Sequence, residues 1–193
     1  MPRRRGGRQI GLFSDERLNE IKNNAILVTG GAGYIGNHVA LALRESGKEV
    51  VVLDSLCRGF IESVGESILV EGAVRDTKLV NYLLETYHID TIMHFAAFTI
   101  VPESVKEPLK YYENNTGGTR ALLECALAHK VKHFVFSSTA AVYGVPADGV
   151  ASEESALNPI EAFREESDPV NLESFARRHK QKRRWRAGRL TAV

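Results

Sequence analysis

The sequence predicts an α/β protein built on a doubly wound parallel sheet of five strands. Three observations carry this. Short, continuous apolar runs alternate with stretches of helical periodicity, a glycine-rich turn joins the first run to the first helix, and an acid closes the second run. Apolar runs of this length, bounded by turn residues, are strands buried on both faces. Strand–helix alternation makes neighbouring strands parallel, with right-handed crossovers.

In chain order, Ala25 to Thr29 is the first strand and ends at glycines. Tyr34 to Ser46 is a helix whose expected inward stripe is Ile35, Val39, Ala42 and Leu43, with Gly47 as its stop. Glu49 to Leu53 forms the second strand, ending at Asp54, and Ile68 to Glu71 the third. Asp76 caps a helix that runs to about Tyr87 and turns Leu79, Leu83 and Leu84 inward. Thr91 to Phe95 is the fourth strand. The segment from Pro102 to Pro108 leads into one long helix, Leu109 to His129, with Leu122, Leu123, Ala126 and Leu127 at helical spacing. Lys132 to Ser137 is the fifth strand. Beyond Gly144 the order fades into a polar loop, and from Glu161 apolar periodicity almost vanishes. The expected division is a poorly ordered extension (1–24), a folded domain (25–160), and a basic tail (161–193), disordered or marginally helical.

Composition narrows the class. The 193 residues suit one domain, and 44% apolar with 25% charged residues is ordinary for a globular chain with a real core. No run approaches the roughly 20 apolar residues that span a bilayer. The basic start, Met1 to Gly7, is followed by no apolar stretch, and Asp15 and Glu16 are foreign to a transit peptide, so the expected location is cytoplasmic. Cys57 and Cys125 fall in different elements and read as reduced thiols. His129 and His133 have no third ligand in view, so no metal site is expected. Twelve of the 25 basic residues lie at the two ends, whereas 23 of the 24 acids lie between Ser14 and Val170. The body therefore carries a net charge of −10. It would repel nucleic acid; only the run Arg177 to Arg189, with Trp185, could touch phosphates, and such a run ordinarily stays solvated.

The turn Thr29-Gly30-Gly31-Ala32-Gly33-Tyr34-Ile35-Gly36 has the context that gives a glycine triplet meaning: strand before, helix after, acid at the end of the next strand. Gly30 can take the dihedrals of a tight turn, Gly33 lets backbone approach a pyrophosphate, and Gly36 lets helix pack close to strand. The helix N-terminus offers free N–H groups to phosphates. Asp54 can accept hydrogen bonds from both adenosine ribose hydroxyls and repel a 2′-phosphate, favouring NAD over NADP; Arg58 pulls the other way, since an arginine nearby could accommodate that phosphate. The structural alternatives are a turn that binds nothing and a strand-end cap at Asp54. The fold expected is thus of the Rossmann type.

Further motifs carry a resemblance. His94-Phe95-Ala96-Ala97, Glu103-Ser104-Val105, Pro108 to Asn115, and Phe136-Ser137-Ser138-Thr139-Ala140-Ala141-Val142-Tyr143-Gly144, together with the 29–36 turn, resemble the UDP-glucose 4-epimerase family of extended short-chain dehydrogenases. The match runs from about Ala25 to Ile160. It implies NAD as cofactor, a UDP-sugar as substrate, and interconversion of UDP-glucose and UDP-galactose through transient oxidation at sugar C4. It further implies that Gly30, Gly33, Tyr34, Ile35 and Gly36 cradle the pyrophosphate and that Asp54 and Ser55 address the ribose. Val74 would lie by the adenine, while Phe95, Ala96, Ala97 and Thr99 would line the channel. Asn114 and Ser137 would lie near the nicotinamide, and Thr139 would contact the reacting hydroxyl. Without the resemblance, Ser137-Ser138-Thr139 reads as a polar strand end bonding its own backbone. Three departures stand inside the matched stretch: Ala73 where the family often has Asp, Thr99 where it often has Lys, and Arg58 for a common Asn.

The family's proton chemistry needs a Tyr-x-x-x-Lys pair one helical turn apart, the lysine lowering the tyrosine pKa. Here Phe163 stands in the tyrosine position and Ser167 in that of lysine. The expectation is an NAD-binding half that does not turn over, with the sixth strand and substrate lobe missing and the pattern lost at Glu161 as after a frame change. The alternative is a non-catalytic NAD-binding or oligomer-interaction module, as a homodimer or paired with a full-length homologue through the helix after strand four.

Overall fold

The computed structural model describes residues 24–138, together with 149, 150, 152 and 155. The expected N-terminal extension and basic tail lie outside the described residues, as do Thr139, Phe163 and Ser167.

Five strands form one sheet: β1 (Ile26–Thr29), β2 (Val50–Asp54), β3 (Ile68–Glu71), β4 (Thr91–His94) and β5 (His133–Phe136). Their order is β3-β2-β1-β4-β5 and every pairing is parallel. The chain winds outward from β1 to β3, then returns past β1 to lay down β4 and β5. The direction reverses between β1 and β4, and such a switch point opens a crevice at the carboxyl ends of the strands.

The period-2 alternation of side chains divides the core. Leu27, Val51, Leu53 and Ile92 enter the larger cluster. It is completed by α2 (Thr77–Thr86), through Val80, Leu83 and Leu84, and by α5 (Gly118–Ala128), through Leu122, Cys125 and Ala126. On the other face, Ile26, Val28, Val50 and Val52 meet Ala40 of α1 (Tyr34–Glu45) and Val64 of a 3₁₀ turn (Ile61–Val64). Both faces of the central strands are therefore dry, which explains their unbroken apolar sequences.

Two expectations need correction. The inward stripe of α1 is not Ile35–Val39–Ala42–Leu43: Gly36 and Ala40 are buried, Leu43 packs against the core, and Ile35 is 57% exposed. The helix is rotated because Gly36 must face the glycine turn, where no larger residue fits. Nor is Leu109 to His129 one regular helix. After a short α3 (Val101–Lys106) come α4 (Pro108–Tyr111), a π-helical turn (Tyr112–Gly117) and then α5. Of its expected inward positions, Leu122 and Ala126 are buried, while Leu127 is exposed.

Candidate cofactor-binding site

The glycine turn occupies the switch point. Gly30 has φ +72°, and a Cβ there would lie 2.6 Å from the backbone nitrogen of Ala96 and 2.7 Å from the carbonyl carbon of Phe95. The turn is thus pressed onto the segment leaving β4, and only glycine satisfies both dihedral and space. At Gly36 a Cβ would fall 2.3 Å from the Gly30 carbonyl oxygen, which keeps α1 tight against the turn. Gly31, which sequence reasoning passed over, is equally constrained: its Cβ would meet the Val52 methyls at 2.7 and 2.8 Å.

Gly33 differs. The nearest atom to a Cβ there is Gly30 O at 3.3 Å, and the residue is the N-cap of α1 with no side-chain cap bond and no acid in the first turn. Among the described residues no side chain caps the α1 N-terminus, which keeps its partial positive charge, the arrangement that suits a phosphate. Tyr34 and Ile35 are exposed at its rim.

Asp54 is buried at the tip of β2. Its Oδ2 accepts from Ala32 N–H at 3.0 Å and its Oδ1 from Leu56 N–H at 2.8 Å. These bonds lock the carboxylate to the glycine turn and leave lone pairs for further donors. Ser55 is exposed and donates to Cys57 Sγ at 3.2 Å. Val74 belongs to the larger core and stands where a Cβ on Gly118 would approach it at 2.9 Å.

Across the crevice, Phe95 and Ala96 are half-buried, while Ala97 and Thr99 are exposed. Asn115 fixes this segment. Its side chain accepts from Phe98 N–H at 2.8 Å and donates to Phe98 O at 3.0 Å, and Asn114 donates to Asn115 Oδ1. The π-helical turn carries both asparagines, in keeping with the tendency of such turns to sit at functional sites. Ser137 donates its N–H to His94 O at the tip of β5.

Beneath the crevice runs a hydrogen-bond chain that sequence reasoning missed. His94 Nδ1 lies 2.6 Å from Thr29 Oγ1 and its Nε2 2.8 Å from Thr119 Oγ1. All three residues are buried, so β1, β4 and α5 are pinned together through one imidazole. Burial lowers the His94 pKa to about 4, so the ring is neutral.

A charged cluster joins the loop after β2 to α3 and α4. Glu103 accepts from Arg58 at 2.5 Å and Lys110 at 2.6 Å, with Tyr111 Oη 2.8 Å away. The Lys110 bond, then those of Tyr111 and Arg58, hold the Glu103 carboxyl at about 2.

The described residues fit a dinucleotide: an uncapped helix N-terminus, a glycine whose crevice side is open, and a fixed carboxylate at the end of the next strand. Comparison with known proteins agrees. Residues 26–166 match the model of the NAD dependent epimerase/dehydratase family. The UDP-glucose 4-epimerase of Halalkalibacterium halodurans is 48% identical over 141 residues, 73% of this chain and 42% of that protein. The UDP-glucose 4-epimerase of Brucella ovis, solved with NAD, superposes with a TM-score of 0.69 at 36% identity, covering 82% of this chain and 47% of that one. Its counterpart from Thermus thermophilus, also in complex with NAD, gives 0.72 at 32% identity, covering 82% and 51%. The chain thus spans about half the length or less of these relatives, and it belongs to the NAD-dependent epimerase/dehydratase family.

Proposed function

We propose that this chain is the NAD-binding portion of a UDP-glucose 4-epimerase-like enzyme and that, as this chain, it does not turn over. The observation that carries the cofactor assignment is the open, uncapped N-terminus of α1 at the switch point, with Asp54 tied to the same turn. The residues that would hold NAD are Gly30, Gly33, Tyr34, Ile35 and Gly36 at the pyrophosphate, and Asp54 and Ser55 at the ribose. Val74 would stand toward the adenine, Phe95, Ala96, Ala97 and Thr99 along the channel, and Asn114 and Ser137 toward the nicotinamide. When bound, NAD supplies a reversible hydride acceptor for oxidation at a sugar carbon. The chain's part is to bind, orient and exclude water.

Moving the sugar proton needs a base. Thr139 is the hydroxyl we assign to the substrate, but a neutral hydroxyl does not replace a tuned phenolate. Phe163 carries no ionisable proton and Ser167 no charge, so the pair that would accept the proton is absent. The test is twofold. Quenching of protein or cofactor fluorescence should report NADH binding to the purified chain, and a coupled assay should find no interconversion of UDP-glucose and UDP-galactose. Turnover would overturn the inactivity; failure of a folded chain to bind NADH would overturn the cofactor assignment.

A second reading, an NAD-binding or oligomer-interaction module, is favoured by one observation. Val105 and Leu109, on the helices after β4, are 59% and 81% exposed. Exposed apolar side chains on adjacent helices suit a partner helix pair from a second copy or a full-length homologue. Co-purification with such a homologue supports this reading, and a monodisperse monomer in its presence counts against it.

A further inference from the structure

Arg58 is the residue that, by type, could defeat selectivity for NAD. It stands four positions beyond Asp54, and its neighbourhood is tied directly to the glycine turn. A Cβ on Gly59 would lie 2.6 Å from Ala32 Cβ, Phe60 N–H donates to Ala32 O at 3.2 Å, and Ser63 Oγ donates to the same oxygen at 3.1 Å. Ala32 N–H is in turn a donor to Asp54. A guanidinium on this loop is therefore rooted next to the carboxylate that addresses the ribose, where it could pair with a 2′-phosphate.

The guanidinium is held elsewhere. It donates to Glu103 Oε2 at 2.5 Å and lies over the Phe98 ring, 5.3 Å from its centroid. Glu103 is itself braced. Lys110 donates to Oε1 at 2.6 Å, and Tyr111, fully buried, places its Oη 2.8 Å from Oε2 and 3.0 Å from Ile100 O, either of which can take its one proton. Phe98 is clamped through its backbone by Asn115. The acceptor and the ring that engage Arg58 thus belong to the β4 side of the crevice, and both are fixed by buried or bidentate contacts.

Resting on the reading of this site as an NAD site, we infer that Glu103 is a cofactor-specificity residue: it captures Arg58 across the crevice and so leaves Asp54 alone to judge the ribose 2′-position. A 2′-phosphate then meets the Asp54 carboxylate, with the Arg58 cation already engaged by Glu103. With Glu103 neutral, Arg58 regains its freedom to reach the phosphate, and the discrimination against NADPH falls.

The experiment is NADH and NADPH binding by the full chain, followed by fluorescence, for the wild type, Glu103→Gln, Arg58→Gln and the double variant, with thermal melts confirming that each folds. Wild type should prefer NADH. Glu103→Gln should shift the NADH-to-NADPH affinity ratio toward NADPH by about tenfold, the scale of one charge-assisted contact. The double variant should lose that gain. Arg58→Gln alone should leave the ratio within about twofold, because Arg58 is already engaged; this holds even where Glu103→Gln does not fold. An unchanged ratio in Glu103→Gln, a gain that survives in the double variant, or a several-fold loss of NADPH binding in Arg58→Gln overturns the specificity role while leaving the NAD site standing. A folded wild type that binds neither nucleotide overturns the NAD reading and this inference with it.

Discussion

His94 shows how one side chain can couple folding to pH here. Its ring is buried between two threonine hydroxyls, with no carboxylate among the described residues bonded to it, and burial lowers its pKa from 6.5 to about 4. A histidine whose folded pKa is depressed binds fewer protons in the native state than in the unfolded one between those two values. Its contribution is therefore fully present above about pH 6.5 and is lost progressively as the pH falls toward 4, reaching on the order of 3 kcal/mol. Urea titrations at pH 7.5 and 4.5 should show a midpoint that falls with pH, and His94→Asn should flatten that dependence. An equal slope in both proteins would remove His94 as its source. At Gly36 the constraint is steric. Gly36→Ala puts a methyl 2.3 Å from the Gly30 carbonyl, so α1 must lift from the turn. The expected result is destabilisation of about 1–3 kcal/mol and a several-fold weaker affinity for NADH; unchanged affinity would show that the turn is not the cradle. The glycines and Asp54 were legible because their spacing is local. The Thr29–His94–Thr119 chain was not, since its members stand 65 and 25 residues apart and each alone is an ordinary polar residue. The aromatic and ionic partners of Arg58 were hidden for the same reason.

At the scale of elements, the strands could be read almost to the residue; in β1 and β2 burial on both faces leaves no position for polar alternation. Helices were less legible at their faces than at their ends. Asp76 was expected as the cap of α2, and its Oδ1 does accept from Leu79 N–H at 3.1 Å. Asp76→Ala should lower stability by about 1 kcal/mol, seen as a lower denaturant midpoint at unchanged m, and should leave NADH affinity as it was, because α2 packs beneath the sheet rather than at the crevice. A loss of affinity larger than the stability change would place α2 closer to the site than its packing implies. The rotated face of α1 and the π-helical turn were not legible. Each is imposed by a contact with another element: Gly36 against the turn of Gly30, and Asn115 against the backbone of Phe98. Periodicity reports what a helix would prefer in isolation, and tertiary contacts of this kind override it.

For the molecule as a whole, the switch point is where the two halves of the sheet depend on each other. Gly30 N–H donates to Leu53 O of β2, Phe95 N–H to Thr29 O of β1, and Ser137 N–H to His94 O of β4, so the strand tips around the crevice form one hydrogen-bonded row. A dinucleotide spanning that row would contact segments on both sides of β1 and would bind only when both are folded. Under the NAD reading, linkage then fixes the size of the response: NAD at about 100 times its dissociation constant adds roughly 2.7 kcal/mol of apparent stability. For a folded unit of this size that raises the melting temperature by about 5–15 °C. Titration should give a midpoint that climbs with the logarithm of NAD concentration, and Gly36→Ala should need several-fold more NAD for the same rise. A cooperative melt that does not move at millimolar NAD would mean that the crevice, though shaped by family descent, holds no cofactor in this chain. A rise that Gly36→Ala leaves untouched would mean that NAD binds elsewhere.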